Sequence, residues 1–462
     1  MKKTVLSLVT VAMISTLHAG GDVKEVEVVA PVTPEAPAEE VNMGKVSGQI
    51  RMFSISREMD YSDPTRDDFT RDGTAIGGHL KYESPSLYGL SFGVAFYGTN
   101  KLVMDSPRNV YTISDPTLLG ENNEDYALLG EAYLQYTLGN TLLKVGRQKI
   151  NTPMAGTDDA RMLPNLFEGA LIANSDLPDT TLVLAHMTKF AQGTFGRAYN
   201  GGILAATAGY SALPSRDTGN VGEFVEMGEY ALGVDTDGVT VAGITYKGIP
   251  NLKLQLWNYY AHDILNAFYG QADYSFDMGG AKGFVGAQII KENDVGDKFL
   301  STLGGTGEID SLYWGVKAGV SFNGLTLSGA YSSTGENDAT DAAYANAIIS
   351  PWGGMPAFTQ GMVTRHQFLA GTEAAKVALS YNFKDSMGIN LKATGYYANF
   401  KMAANNGYTN GDASESGLDV IYYPMKDLQL RFRANFAEDF NVAANGNTVG
   451  WDEYRVIVNY NF

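Results

Sequence analysis

The sequence predicts an all-β fold, a transmembrane antiparallel β-barrel of about 18 strands with long extracellular loops and short periplasmic turns. Three observations predict it. Runs of about ten residues alternate apolar with polar or small side chains, as strands do when they separate two solvents. Short turns alternate along the chain with long connections. The chain also closes on a strand that ends in an aromatic residue.

Composition agrees: hydrophobic residues make up 44%, charged residues only 18%, and Gly (53) and Tyr (27) are abundant while Pro (15) is sparse. Tight turns and aromatic girdles use that mixture. The formal net charge of -18 would repel a phosphate backbone and argues against a nucleic-acid partner. With no cysteine there is no disulfide frame, no thiolate metal site and no catalytic thiol.

Taken in order, the chain opens with Lys2, Lys3, an apolar run and Leu17-His18-Ala19, the pattern of a signal peptide over residues 1–19. The run is shorter than the roughly 20 apolar residues a spanning helix needs. Residues 20–44 are acidic and carry Pro31, Pro34 and Pro37 without periodicity, which predicts a periplasmic linker. Residues 45–462 are then the barrel, an outer-membrane protein in contact with lipid.

Within it, Leu312, Trp314, Val316, Ala318, Val320 and Phe322 share one face, against Ser311, Tyr313, Gly315, Lys317, Gly319 and Ser321 on the other. Ala375 to Phe383, Leu428 to Phe436 and Tyr454 to Phe462 repeat the pattern. Strands this long match a tilted membrane span, whereas soluble sandwiches use about five or six residues. Turns are expected at Leu138 to Asn140, Lys247 to Asn251, Asn323-Gly324, Lys384 to Gly388 and Pro424 to Asp427, alternating with long polar loops. Lys189 to Asp237 is assigned to such a loop, although Val225 to Val234 could form another strand.

Catalytic patterns are weak. Gly89-Leu-Ser91-Phe-Gly93 mimics a hydrolase elbow, but a strand runs straight through it where a sharp turn is required. His79, His186, His262 and His366 are scattered, and Asp235-Thr-Asp237-Gly238 lacks the closing glutamate of a calcium loop. No enzyme activity, metal or cofactor is implied. The informative set lies on the expected inner face: Arg51, His79, Lys81, Lys144, Lys253, Lys317, Lys376, Lys392, Arg431, Arg433 and Arg455, with only a few acids such as Glu83, Glu131 and Asp419. A basic lumen lowers the barrier for anions or for the carboxylate end of a zwitterion.

Two blocks resemble the OprD-type porins. One is Leu143-Lys-Val-Gly-Arg-Gln148 followed by Asp158-Asp-Ala-Arg161 through Gly169; the other runs from Glu415 through Arg431-Phe-Arg433 to Asp452-Glu-Tyr-Arg455. The resemblance implies an 18-strand barrel whose arginine ladder guides carboxylates past infolded loops, with Arg431, Arg433 and Arg455 in ladder positions. It also implies that Arg161 sits near the constriction, with Asp158 and Asp159 supplying the opposite sign. The expected activity is passive diffusion of small polar or anionic solutes, carboxylates or amino acids, and a homotrimer of such barrels is an open expectation. A general, weakly selective porin is the nearest rival; a surface adhesin, a barrel enzyme and a plugged transporter find less support.

Overall fold

The computed structural model describes residues 43–103, 112–120, 123–214, 221–298 and 308–462, so the expected leader and most of the linker lie outside the described residues. Eighteen antiparallel strands close into one barrel. Closure is made by the first strand, Lys45–Tyr61, which pairs with Phe69–Glu83 on one side and with the last strand, Thr448–Asn461, on the other. Closure leaves no open sheet edge among the barrel strands, as a hydrocarbon solvent demands.

Alternation decides which way each side chain points. In Asp310–Phe322, Leu312, Trp314 and Val316 are exposed to the lipid side, while Ser311, Tyr313 and Lys317 are buried within the barrel. Turn chemistry decides the register. Asn323 and Gly324 both adopt positive φ, 46° and 81°, the mirror-image turn that joins Phe322 to Leu325 without splaying the strands. The turns expected at Leu138 to Asn140, Lys247 to Asn251, Lys384 to Gly388 and Pro424 to Asp427 are also present.

The long connections correct one expectation. They are not uniformly polar: 149–165, the described parts of 192–238, and 335–371 turn into the barrel, where Phe195, Tyr199, Leu204, Tyr210, Tyr230, Ile348, Trp352 and Phe368 form one buried apolar cluster. Burying a large apolar side chain contributes roughly 1.5–3 kcal/mol. Val225 to Val234 is part of the second connection, as a two-residue strand at Val225–Glu226 and a short helix, Met227–Leu232. The barrel is thus filled from the extracellular end and open toward the periplasmic turns, where inward-facing Lys144, Gln135 and Lys253 remain partly accessible.

Candidate functional site

Register places the basic residues in rows. Thr394, Asp419, Arg433, Arg455 and Ile55 stand opposite one another on five neighbouring strands. Lys317, Ala330, Lys376 and Ala398 make a second such row. The strand before Lys317 contributes Gly286, where an added Cβ would come within 2.5 Å of the Lys317 side chain. The lysine therefore reaches across bare backbone to Asp273 at 2.7 Å.

The first row is held by two carboxylates. Arg431 grips Asp419 through Nε at 2.8 Å, and the Arg433 Nε lies 3.6 Å from the same carboxylate. Glu453 is shared by three guanidinium groups: Arg161 at 2.6 Å, Arg57 at 3.1 Å, and Arg455. Trp451 Nε1 also donates to it at 3.1 Å, and Arg57 is held a second time by Asp115 at 3.1 Å. Planar guanidinium forks suit this sharing because each offers several fixed donors. Lys376 donates to the Gln360 carbonyl at 2.6 Å and lies 4.5 Å from the Tyr396 ring, while Lys392 is half-buried on the same inner face.

Loop residues close the extracellular half. Arg365, from 335–371, donates to Asp158, from 149–165, at 2.9 Å, and to the Ala208 carbonyl at 3.0 Å; Tyr210 donates to the same aspartate. The three infolded connections are thereby latched at one carboxylate. Phe195 lies between Arg161, at 4.5 Å, and Arg365, at 4.3 Å, so cation–π contacts join the latch to the arginine row. Burial opposes the Arg365 charge, but Asp158 and the neighbouring tyrosines hold its pKa above the ordinary arginine value.

Asp158 is thus enclosed in the latch, whereas Asp159 is 37% exposed and paired with Arg51 through two bonds of 2.6 and 3.1 Å. Burial favours the neutral acid, yet Arg51 and Lys149 hold the Asp159 carboxyl below the usual range. Glu415, a further inward acid, accepts backbone N–H groups of Val363 at 3.0 Å and Thr364 at 2.7 Å and so anchors the infolded connection 335–371.

The inner face corrects the expectation of few acids. Glu453, Glu415, Asp273 and Glu292 join Glu83, Glu131 and Asp419 there, as Arg57 joins the cations. Strand parity alone would have found Glu453 and Glu415, since they alternate with outward Tyr454 and Leu418. Arg365 carries no such signal because its segment has no periodicity. The histidines are less scattered than their spacing indicates: His186 and His262 share the Thr240 hydroxyl, at 3.0 and 3.1 Å. Among the described residues, however, no group of three or more potential metal ligands converges.

The chain and its fold are similar to known proteins. The sequence profile described as outer membrane porin, OprD family, matches residues 41–462. Porin D of Pseudomonas aeruginosa is 23% identical over 424 residues, 85% of this chain and 88% of that protein. The fold resembles the crystal structure of Pseudomonas aeruginosa OccK9 (OpdG), with a TM-score of 0.70 and 21% identity over 90% of this chain and 98% of that one. It also resembles Pseudomonas aeruginosa OpdK with vanillate, with a TM-score of 0.67 and 17% identity over 90% and 98% of the two chains. The profile match spans nearly the whole chain and the closed barrel accounts for it: this chain belongs to the OprD family, outer membrane porins that act as channels and not as enzymes.

Proposed function

We propose that the channel passes small carboxylate-bearing solutes, amino acids among them, by passive diffusion past its basic wall. One observation carries the reading. Five guanidinium groups, Arg57, Arg161, Arg431, Arg433 and Arg455, share three carboxylates, Asp115, Asp419 and Glu453. The acids hold the arginines in place without cancelling them, so the wall keeps a positive excess in a narrow, low-dielectric passage, where it lowers the barrier for anions. Exposed Asp159 gives the opposite sign that the ammonium end of a zwitterion needs. Vanillate, the molecule named with OpdK, is itself a carboxylate.

The strands close within one chain, so each barrel would conduct by itself whether or not homotrimers form. Residues 1–19 would serve export and residues 20–44 would tether the barrel's start in the periplasm. The extensive pairing of the arginines favours a second reading, a general porin with weak selectivity.

Liposome swelling separates the two. Carboxylates should enter faster than neutral or amine solutes of equal size, and the combined Arg431→Gln and Arg433→Gln substitution should erase the difference. Rates that follow size alone in the unmodified protein would leave only the general porin.

A further inference from the structure

Next to the arginine row, beginning with the strand that pairs with Lys45–Tyr61, the wall built from Phe69–Glu83, Leu90–Val103, Tyr126–Leu138 and Thr141–Gln148 carries its cations in another manner. Lys81 is held by Glu83 at 3.3 Å and Glu131 at 3.1 Å, and Arg147 by Glu168 at 2.9 Å. Tyr97 donates to Glu131 at 2.6 Å and Tyr133 to Glu83 at 2.8 Å, so those carboxylates are fully engaged. Two lysines at the far edge of this stretch, Lys144 and Lys149, stand apart from these pairs. Among the described residues neither ammonium makes a hydrogen bond or ion pair. Lys144 lies 4.2 Å from the Tyr133 ring centroid and Lys149 5.3 Å from that of Tyr97.

Their position is specific. Lys149 is exposed, follows directly on Thr141–Gln148 where the first infolded connection begins, and has Asp159 and Arg51 among its charged neighbours. Lys144 is half-buried, faces inward beside Gln135, and stands near the periplasmic turn at Gly139 and Asn140. Lys81 and Glu131 are charged neighbours of both. Five residues of strand cover roughly 16 Å, enough to lead from the constriction toward the periplasmic mouth.

We propose that Lys149 and Lys144 form a second cation track, a pair of carboxylate-binding positions that receives solute at the constriction and hands it on to the periplasmic mouth. It rests on the reading of the channel as carboxylate-conducting. The choice of residue fits the task. An arginine fork binds a carboxylate in two parallel bonds, whereas a lysine is a hydrated point charge on a flexible stem that grips less and releases sooner. Conduction needs sites that favour binding yet let the solute leave. Arginines held by carboxylates beside the constriction and lysines without an ion pair leading from it meet both requirements.

The test uses the full-length channel in planar bilayers, with succinate or propionate added to the periplasmic side of a potassium chloride solution. Joint substitution Lys144→Gln and Lys149→Gln should slow carboxylate block of the chloride current roughly tenfold, the lower end of what focused charge supplies. Joint Lys144→Arg and Lys149→Arg should keep wild-type association and lengthen the block. Unchanged block in the glutamine variant overturns the track. If that variant is unchanged while Arg431→Gln with Arg433→Gln abolishes anion preference, only the track falls. An unmodified channel that prefers no anion removes the carboxylate reading and the track together.

Discussion

Two neighbouring stretches of the lumen wall carry similar charge held in different ways. On the side closed by Leu391–Met402 to Thr448–Asn461, the arginines are buried, share carboxylates and are stacked against infolded loops. On the next, Lys144 and Lys149 lie over tyrosine rings and, among the described residues, make no ion pair. The contrast separates two uses of positive charge. Where a guanidinium is part of the load of the fold, its acid partner is worth as much to stability as to permeation; where an ammonium is loose, it can be removed with little structural effect.

Glu453→Gln should break the locked side most severely, because Arg57, Arg161 and Arg455 would keep their burial and lose a shared counterion. Removing one partner of a buried ion network costs about 3–5 kcal/mol, readable in urea unfolding. A loss under about 1 kcal/mol would show that the arginines are hydrated, and the contrast would collapse.

Next comes acidity. Burial pushes the His366 imidazole from 6.5 down to about 4, its Nε2 lying 2.8 Å from the Phe440 carbonyl. The folded value is below the unfolded one, so its contribution is intact above pH 6.5 and declines as pH falls toward 4, by about 3 kcal/mol at most. Protection of the amides around His366 against hydrogen exchange should fall over that window and stay level in His366→Gln. The same slope in both proteins would assign the acid sensitivity elsewhere.

Asp158→Asn should loosen the latch that joins the three infolded connections, raising single-channel conductance and its noise. Conductance that stays at the wild-type value would mean that packing of Phe195, Tyr199 and Trp352 alone holds the loops. The smallest effect belongs to the loose side. Lys144→Gln and Lys149→Gln should each change unfolding free energy by no more than about 0.5 kcal/mol, since neither breaks an ion pair among the described residues. A cost near that of Glu453→Gln would show hidden partners.

What was legible in the sequence follows period and turn chemistry. Asp310–Phe322 declares its two faces because lipid and water enforce alternation, and Asn323-Gly324 declares its turn because few residues tolerate positive φ. The inward placement of Arg431, Arg433 and Arg455 follows from the same parity. Their partners were harder to read, since Glu453 meets Arg57 and Arg161 only once the barrel closes. Arg365 was missed because its stretch, Ile348-Ile-Ser-Pro-Trp through Phe368, has no period. Its apolar content was nevertheless a clue, for a long connection rich in Ile, Trp, Met and Phe is costly to leave in water.

The central claim is that excess positive charge along both stretches of the wall makes the lumen prefer anions. The most direct measurement is the reversal potential of single channels in a potassium chloride gradient, for the unmodified protein and for a variant carrying Arg431→Gln, Arg433→Gln, Lys144→Gln and Lys149→Gln. The account predicts chloride preference in the first and a shift to no preference or to potassium in the second. Potassium preference in the unmodified channel, or the same reversal potential in both, would contradict it.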